Sequence, residues 1–149
     1  DGTWIYQGAL STTGAAYQWF RDNFCQDLIE KASGSSKNAF AYMNEEADEA
    51  EPGCGGLVFL PYMLGERSPI WDPYARGVFF GLSLQTKRKD MNRAVMEGCG
   101  YGLRQLSEIA ERVTGKKMTD LFPSVVEQRV SPGHRLRQTL PEKILSFWI

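Results

Sequence analysis

The chain has little net charge, few histidines and no long hydrophobic run. Its 149 residues carry 17 basic and 18 acidic side chains, a formal net charge of −1. This balance predicts neither nucleic acid nor an anionic membrane as a partner. No apolar run approaches the roughly 18 residues that a membrane-spanning helix needs, and no signal peptide follows Asp1. We therefore expect a cytoplasmic protein, and the missing initial Met predicts a piece of a longer chain.

Side chains that commonly bind metals are also scarce. The three cysteines, Cys25, Cys54 and Cys99, are far apart, odd in number and without a C-x-x-C pair. The one histidine, His134, stands in a polar stretch with no partner pattern around it. We therefore expect no metal site, no disulfide framework and no histidine-based catalytic triad, and we expect a reducing compartment.

What the sequence does contain is an ordinary globular composition, with 42% hydrophobic and 23% charged residues. Apolar residues at helical spacing predict three helices. The first covers 14–24, after the potential N-cap cluster Ser11-Thr12-Thr13. The second covers 38–50 and places Phe40, Met43 and Ala47 on one face. The third and strongest covers 88 to about 113 and ends at Gly115.

Strands are predicted at 4–10, 57–60 and 78–82. The continuous apolar run at 57–60 predicts a buried strand in a covered sheet. The long connection 61–77, rich in Pro, Gly and charge, predicts a loop that is functional or packed on itself. Strands alternating with helices favour an α/β domain.

The glycine-rich run Gly98-Cys99-Gly100-Tyr101-Gly102 superficially suggests a nucleotide loop. It lies inside the third predicted helix rather than between a strand and a helix, so it lacks the context that such a loop requires. Small residues that let the helix approach a sheet are the better interpretation. No G-x-x-x-x-G-K-[ST] loop occurs, which excludes a P-loop mechanism.

Three carboxylates could be proposed as general bases, namely Glu66, Asp72 and Glu97. For Asp72, an ion pair with Arg76 that fixes a turn is the favoured interpretation. Glu97 lies near the apolar side of its helix, and we expect a buried structural acid with a partner such as Arg67.

The block from Gly65 to Gly77 reads G-E-R-S-P-I-W-D-P-Y-A-R-G, followed by F-G-L-S at 80–83 and R-A-V-M-E-G at 93–98. These runs resemble the C-terminal domain of FGGY-family carbohydrate kinases, whose pattern is G-E-R-x-P-x-W-D-P-x-A-R-G, F-x-G-L and R-A-V-x-E-G. The Glu-Arg-x-Pro opening is more similar to the xylulokinase and gluconokinase branches, since glycerol kinases have an uncharged opening there. The resemblance covers residues 1–121.

The resemblance implies an α/β fold of the actin-like ATPase (ribonuclease-H-like) type, as part of the second domain of a two-domain sugar kinase. It implies ATP with Mg²⁺ and a sugar as substrates, and a homodimer is a compatible assembly. The family's A-G-A-x-x-Q-W helix matches residues 13–19, so Gly14, Tyr17 and Gln18 are expected to bind the nucleotide. Glycine permits close backbone approach, and glutamine offers both a donor and an acceptor. The catalytic Asp and most sugar contacts lie N-terminal to the matched region, so we expect no catalytic residue here and an inactive fragment.

The tail 122–149 departs from the family, which has S-G-G-[GA]-x-K-S-x-x-W-x-Q-I-x-A-D-x-x-G there. Reading the third base of each codon with the first two of the next restores this pattern. Residues 123–130 can then encode Ile-Ser-Gly-Gly-Ala-Lys-Ser, and residues 132–141 can encode Trp, Gln and Ile-Lys-Ala-Asp-Ile-Thr-Gly. We therefore expect a frameshift near residue 122 and impaired adenosine binding.

The leading interpretation is a fragment of a xylulokinase that phosphorylates D-xylulose. Within the same class, gluconokinase or another FGGY kinase is the alternative. From a different class, the chain could be a non-catalytic remnant that binds nucleotide or a partner chain.

Overall fold

A computed structural model describes residues 8–117. It contains four helices, α1 (Gly14–Phe24), α2 (Gln26–Ser33), α3 (Ala39–Asp48) and α4 (Arg88–Thr114), and two strands, β1 (Val58–Leu60) and β2 (Val78–Phe80). A single 3-10 turn, Cys54–Gly56, precedes β1. The predicted strand 4–10 falls mostly outside the described residues, and its last three residues, 8–10, have no regular structure. The tail 122–149 lies wholly outside them.

Helix α4 has the bounds that its apolar spacing predicts. The Asp90 carboxylate accepts a hydrogen bond from the Lys87 N–H at 2.8 Å, which satisfies a free donor at the helix start. Gly115 ends the helix at φ +67, and its N–H donates to the Glu111 carbonyl at 2.8 Å. A left-handed residue at this position is what glycine supplies at low cost.

Helices α1 and α3 also match the sequence predictions. On α3, Met43 and Ala47 are buried and Phe40 packs at the edge of the core, while the Asn38 side chain caps the helix by accepting from the Ala41 N–H at 2.9 Å. Helix α2 was not predicted. It has only eight residues, fewer than the window over which helical spacing is read. Leu28 packs at the edge of the core, but no residue of α2 is fully buried.

The sheet differs from the prediction of a buried strand covered on both faces. Strands β1 and β2 pair antiparallel, with Phe59 opposite Phe79. Phe59 is buried, but its neighbours Val58 and Leu60 are 39% and 37% exposed. Because side chains alternate along a strand, one face packs on α4 and the other stays open within the described residues.

The core lies where α1, α3 and α4 meet the inner face of β1. Its members are apolar side chains from all four elements: Ala16, Tyr17, Phe20, Met43, Ala47, Phe59, Ala94, Val95, Met96 and Cys99. The thiols of Cys25, Cys54 and Cys99 are all free and buried. Burial raises the pKa of Cys99 to about 12, because the thiolate would lose its hydration.

Gly98 explains the glycine-rich run in α4. A Cβ atom at this position would lie 2.2 Å from the Phe59 carbonyl oxygen. Only glycine lets α4 approach the β1 backbone this closely. The interpretation of this run as a helix–sheet contact is therefore confirmed. None of the helices within residues 8–117 combines the length and hydropathy that a bilayer-spanning segment requires.

Candidate functional site

The candidate site is the first turn of α1, which carries Gly14, Tyr17 and Gln18. Residues three and four apart lie side by side on a helix, so Gly14 neighbours both of the others. Gly14 and Gln18 are half-buried, whereas Tyr17 is only 1% exposed. The structure thus places the three predicted residues on one turn, with Gly14 and Gln18 reaching the surface.

The Tyr17 side chain points into the protein. Its ring stacks on Phe40 with 5.6 Å between the ring centroids, and its hydroxyl donates to Asn44 Oδ1 at 3.0 Å. Burial raises the pKa of Tyr17 well above its ordinary value, because the phenolate would lose its hydration. Tyr17 therefore joins α1 to α3, and its contribution to a nucleotide pocket stays a prediction.

The segment that leads into α1 is held by the connection 61–77, which we call the signature loop. Thr13 occupies the N-cap position but makes no side-chain capping bond, so the predicted capping role is wrong for it. The buried Thr12 hydroxyl instead donates to the Pro61 carbonyl and accepts from the Met63 N–H at 3.3 Å. A hydroxyl expected to cap the helix thus fastens it to the loop.

Glu66 makes the second attachment between the same two segments. Its Oε1 accepts from the Ser11 N–H at 2.8 Å and from the Arg67 N–H at 2.7 Å. The Ser68 N–H donates to the Ala9 carbonyl at 3.3 Å. Because Glu66 is only 3% exposed, these contacts give it a structural role rather than that of a solvent-accessible base.

The signature loop is also packed on itself, as its length predicted. The Glu66 N–H donates to the Asp72 carbonyl at 2.8 Å. Asp72 Oδ1 accepts from the Tyr74 N–H at 2.8 Å. A Cβ atom on Gly65, which has φ +73, would lie 2.7 Å from the Pro73 carbonyl oxygen, so the turn requires glycine.

The expected ion pair between Asp72 and Arg76 is wrong. Arg76 Nη1 donates to the carbonyls of Pro73 and Ala75, at 3.1 and 2.8 Å. The Asp72 carboxylate is engaged by the backbone of the following turn. Both side chains do fix the turn, but each does so through backbone groups.

Glu97 is a hydrogen-bonded acid as the sequence predicted, largely buried with its side chain 10% exposed, but its partner is Arg93 and not Arg67. Arg93 Nε lies 2.7 Å from Glu97 Oε1, one helical turn away. Both Glu97 oxygens accept from the Gly53 N–H, at 3.1 and 3.2 Å. Arg93 Nη1 also donates to the Ala50 carbonyl at 3.2 Å. The pair therefore fastens α4 to the end of α3 and to the turn before β1.

Two further ion pairs that hold α4 were not predicted, and both are made by Arg88. Its guanidinium lies 2.6 Å from Asp27 and 2.8 Å from Glu46, which ties the start of α4 to α2 and α3. Arg93 and Glu97 stand four residues apart, and this spacing was a visible signal for their pairing. The contacts of Thr12 and Glu66 join residues 49 and 55 positions apart, which no local pattern shows.

A cavity of about 280 Å³ lies elsewhere, between β1 and the middle of α4. Leu60, Tyr62, Tyr101 and Arg104 are among its lining residues, and none of Gly14, Tyr17 and Gln18 is. Within residues 8–117, no group of three or more His, Cys, Asp or Glu side chains is arranged to hold a metal ion.

Comparison with known proteins identifies the family to which this chain belongs. Residues 1–124 match the model of the FGGY family of carbohydrate kinases, C-terminal domain. A gluconokinase from Bacillus subtilis is 38% identical over 103 residues, which is 69% of this chain and 20% of that protein. A glycerol kinase 2 from Saccharolobus solfataricus is 34% identical over 123 residues, 80% of this chain and 22% of that protein.

Among solved structures, the ligand-bound xylulose kinase from Lactobacillus acidophilus superposes with a TM-score of 0.55 at 32% identity. The matched region is 70% of this chain and 19% of the xylulose kinase chain. The chain thus spans about a fifth of the length of the relatives it matches. The predicted fold class, an α/β domain of the actin-like (ribonuclease-H-like) type, is confirmed by this match. The chain belongs to the FGGY family of carbohydrate kinases, and residues 1–124 match the C-terminal domain of that family.

Proposed function

We propose that the chain is part of an ATP-dependent sugar kinase and supplies part of its nucleotide-binding domain. The observation that carries this proposal is the match of residues 1–124 to the C-terminal domain of FGGY carbohydrate kinases. Such an enzyme moves the γ-phosphate of ATP to a sugar hydroxyl, while Mg²⁺ bound with ATP neutralises the phosphate charge. A fragment without the acceptor carboxylate would not turn over alone.

In this proposal, the first turn of α1 faces the nucleotide. Gly14 and Gln18 are half-buried, as is Ala15, so this turn reaches the surface where a ligand can approach it. Tyr17 lies on the inner side of this turn and attaches it to α3 through its contacts with Phe40 and Asn44. No catalytic residue and no metal ligand is assigned to this chain.

The substrate we propose is D-xylulose. The Glu66-Arg67-x-Pro69 opening of the signature loop supports the xylulokinase and gluconokinase branches over glycerol kinases, and a xylulose kinase is among the similar solved structures at 32% identity. Gluconate is the second candidate, because a gluconokinase is among the relatives at 38% identity. A coupled phosphorylation assay on the enzyme that contains this domain tests both. Turnover of xylulose well above that of gluconate and glycerol is the expected result, and the reverse order would contradict the proposed specificity.

We propose further that residues 1–121 are the domain proper and that 122–149 are translated from a shifted reading frame. Support comes from the family motif that the alternative frame can encode in order over 123–141. The coding DNA tests this directly. If its third bases do not spell S-G-G-A-K-S in the other frame, the tail is genuine and the domain boundary must be moved.

A non-catalytic remnant that binds nucleotide or a partner chain is the alternative from another class. An adjoining upstream coding segment for the first domain, with its catalytic Asp, favours the enzyme, whereas its absence favours the remnant. Cytoplasmic location and a homodimeric assembly are part of the proposal. Fractionation and sedimentation of the expressed protein measure both.

A further inference from the structure

The signature loop and the segment before α1 meet along a seam of hydrogen bonds. The seam comprises the bonds from Ala9, Ser11 and Thr12 to residues 61–68. It ends two residues before Gly14, where the candidate site begins. Thr13 makes no side-chain capping bond, so these contacts fix the entry of the chain into α1 together with the Cys99 thiol, which donates to the Thr13 carbonyl at 3.6 Å.

Glu66 is the side chain at the centre of this seam. Its Oε1 alone bonds the Ser11 N–H and the Arg67 N–H, at 2.8 and 2.7 Å. Bonds from backbone N–H groups to a carboxylate are stronger than those to a neutral acceptor. The second oxygen, Oε2, is buried and has no hydrogen-bond partner among residues 8–117. One oxygen therefore makes the whole side-chain contribution of Glu66 to the seam.

We infer that Glu66 is a positioning residue, which sets the first turn of α1 for nucleotide binding by holding the Ser11 N–H. Removing the acceptor would leave a part-buried N–H unpaired, and the segment would lose its fixed path into Gly14. Its link to the nucleotide rests on the proposed function, whereas its hold on Ser11 does not. Glu66 would act on the site through the backbone and would not touch the ligand.

A pair of substitutions separates the acceptor from the charge. Glu66→Ala removes Oε1. Glu66→Gln keeps a carbonyl oxygen that can accept from both N–H groups. The matched control is Glu108→Gln, which alters an exposed acid on α4 paired with Arg104. All are made in the full 149-residue chain.

Amide hydrogen exchange of Ser11 is the first readout. We expect exchange at least about tenfold faster in Glu66→Ala, since tenfold corresponds to the loss of one charge-assisted bond. Glu66→Gln and Glu108→Gln should stay within about threefold of the parent chain. Unchanged Ser11 exchange in Glu66→Ala, or equal acceleration in Glu66→Gln, would overturn the inference.

MgATP titration is the second readout. If Glu66 had only a structural role, MgATP affinity would not be lost in Glu66→Ala and restored in Glu66→Gln. The dissociation constant should rise about tenfold in Glu66→Ala and recover in Glu66→Gln. If the parent chain binds no MgATP while Ser11 behaves as expected, the hold on Ser11 stands, and the assignment of nucleotide binding to the first turn of α1 in this chain fails. Equal MgATP affinity in a folded Glu66→Ala variant with fast Ser11 exchange would overturn the link to the nucleotide.

If Glu66→Ala does not fold, Thr12→Val takes its place. This change is close to isosteric and removes the bonds to the Pro61 carbonyl and the Met63 N–H. Faster exchange of the Met63 amide with weaker MgATP binding is expected. A Thr12→Val chain with parental exchange and affinity would contradict a functional seam.

Discussion

The helical layer and the β hairpin bury their apolar side chains to very different extents. In the layer of α1, α3 and α4, large side chains such as Phe20, Met43 and Val95 are fully buried. On the hairpin and just after it, Phe80 is 72% exposed and Leu84 is fully exposed. Exposed apolar side chains of this size are typical of a face that packs on another surface. The helical layer thus buries its large apolar side chains more completely than the hairpin does within the described residues.

The anchors of the two regions differ as well. The helical layer is fastened by the largely buried Arg93–Glu97 pair, and α4 meets the β1 backbone closely at Gly98. The signature loop, which connects the two strands of the hairpin, is held by backbone N–H groups that donate to a few side chains, above all Glu66. Three substitutions, each with a matched control, test this difference in order of expected effect.

The largest effect is expected at the buried pair. Arg93→Ala leaves the Glu97 carboxylate, whose side chain is 10% exposed, without its cation. Breaking such a pair costs about 3–5 kcal/mol in the free energy of unfolding. The control Arg104→Ala breaks an exposed pair on the same helix and should cost about 0.3–0.5 kcal/mol. Urea unfolding measures both, and similar losses would refute the ranking.

The second effect concerns the helix–sheet contact. Gly98→Ala would push its Cβ against the Phe59 carbonyl, a backbone atom that cannot move aside. We expect a loss of about 1–3 kcal/mol in unfolding free energy. At Gly102, the nearest atom is the flexible Leu10 Cδ1 at 3.0 Å, so Gly102→Ala should cost less. A thermal melt in which Gly102→Ala is the more damaging change would contradict the assigned contact.

The smallest effect on stability is expected on the open face of the hairpin. Phe80→Thr removes an exposed ring, so the free energy of unfolding should change by no more than about 0.5 kcal/mol. Self-association measured by sedimentation should fall, because the exposed apolar area shrinks. Its neighbour Phe79 packs on Phe59 with 4.7 Å between the ring centroids. Phe79→Thr should therefore cost more stability than Phe80→Thr.

The same contrast explains what the sequence could predict. Helix α4 was predictable because its apolar spacing persists through 27 residues and Gly115 ends it. Helix α2 was not, since its eight residues are too few to establish an apolar period and only Leu28 packs at the edge of the core. The partner of Glu97 could have been found from the four-residue spacing to Arg93. The attachments of Ser11 and Thr12 depend on contacts about 50 residues away, and only the tertiary structure shows them.

The candidate site shows a similar division. The family pattern selected Gly14, Tyr17 and Gln18, and they do lie on one helical turn. Their different burial follows from how α1 packs on α3, which places Tyr17 inward and leaves Gly14 and Gln18 at the surface. The helical pattern predicted the apolar face of α1. Helical spacing carries no information on ligand contact, so it could not predict which residues of this turn bind a nucleotide.

We propose that the first turn of α1 binds MgATP in a domain whose adenosine loop was lost to a frameshift. The most direct test is a calorimetric MgATP titration of this chain beside a version whose tail is translated in the restored frame. We predict that restoring the frame tightens binding by at least about tenfold, or about 1.4 kcal/mol. Gln18→Ala should weaken that binding again. A restored chain that folds and binds no MgATP, or binds it equally well without the Gln18 amide, would contradict the account.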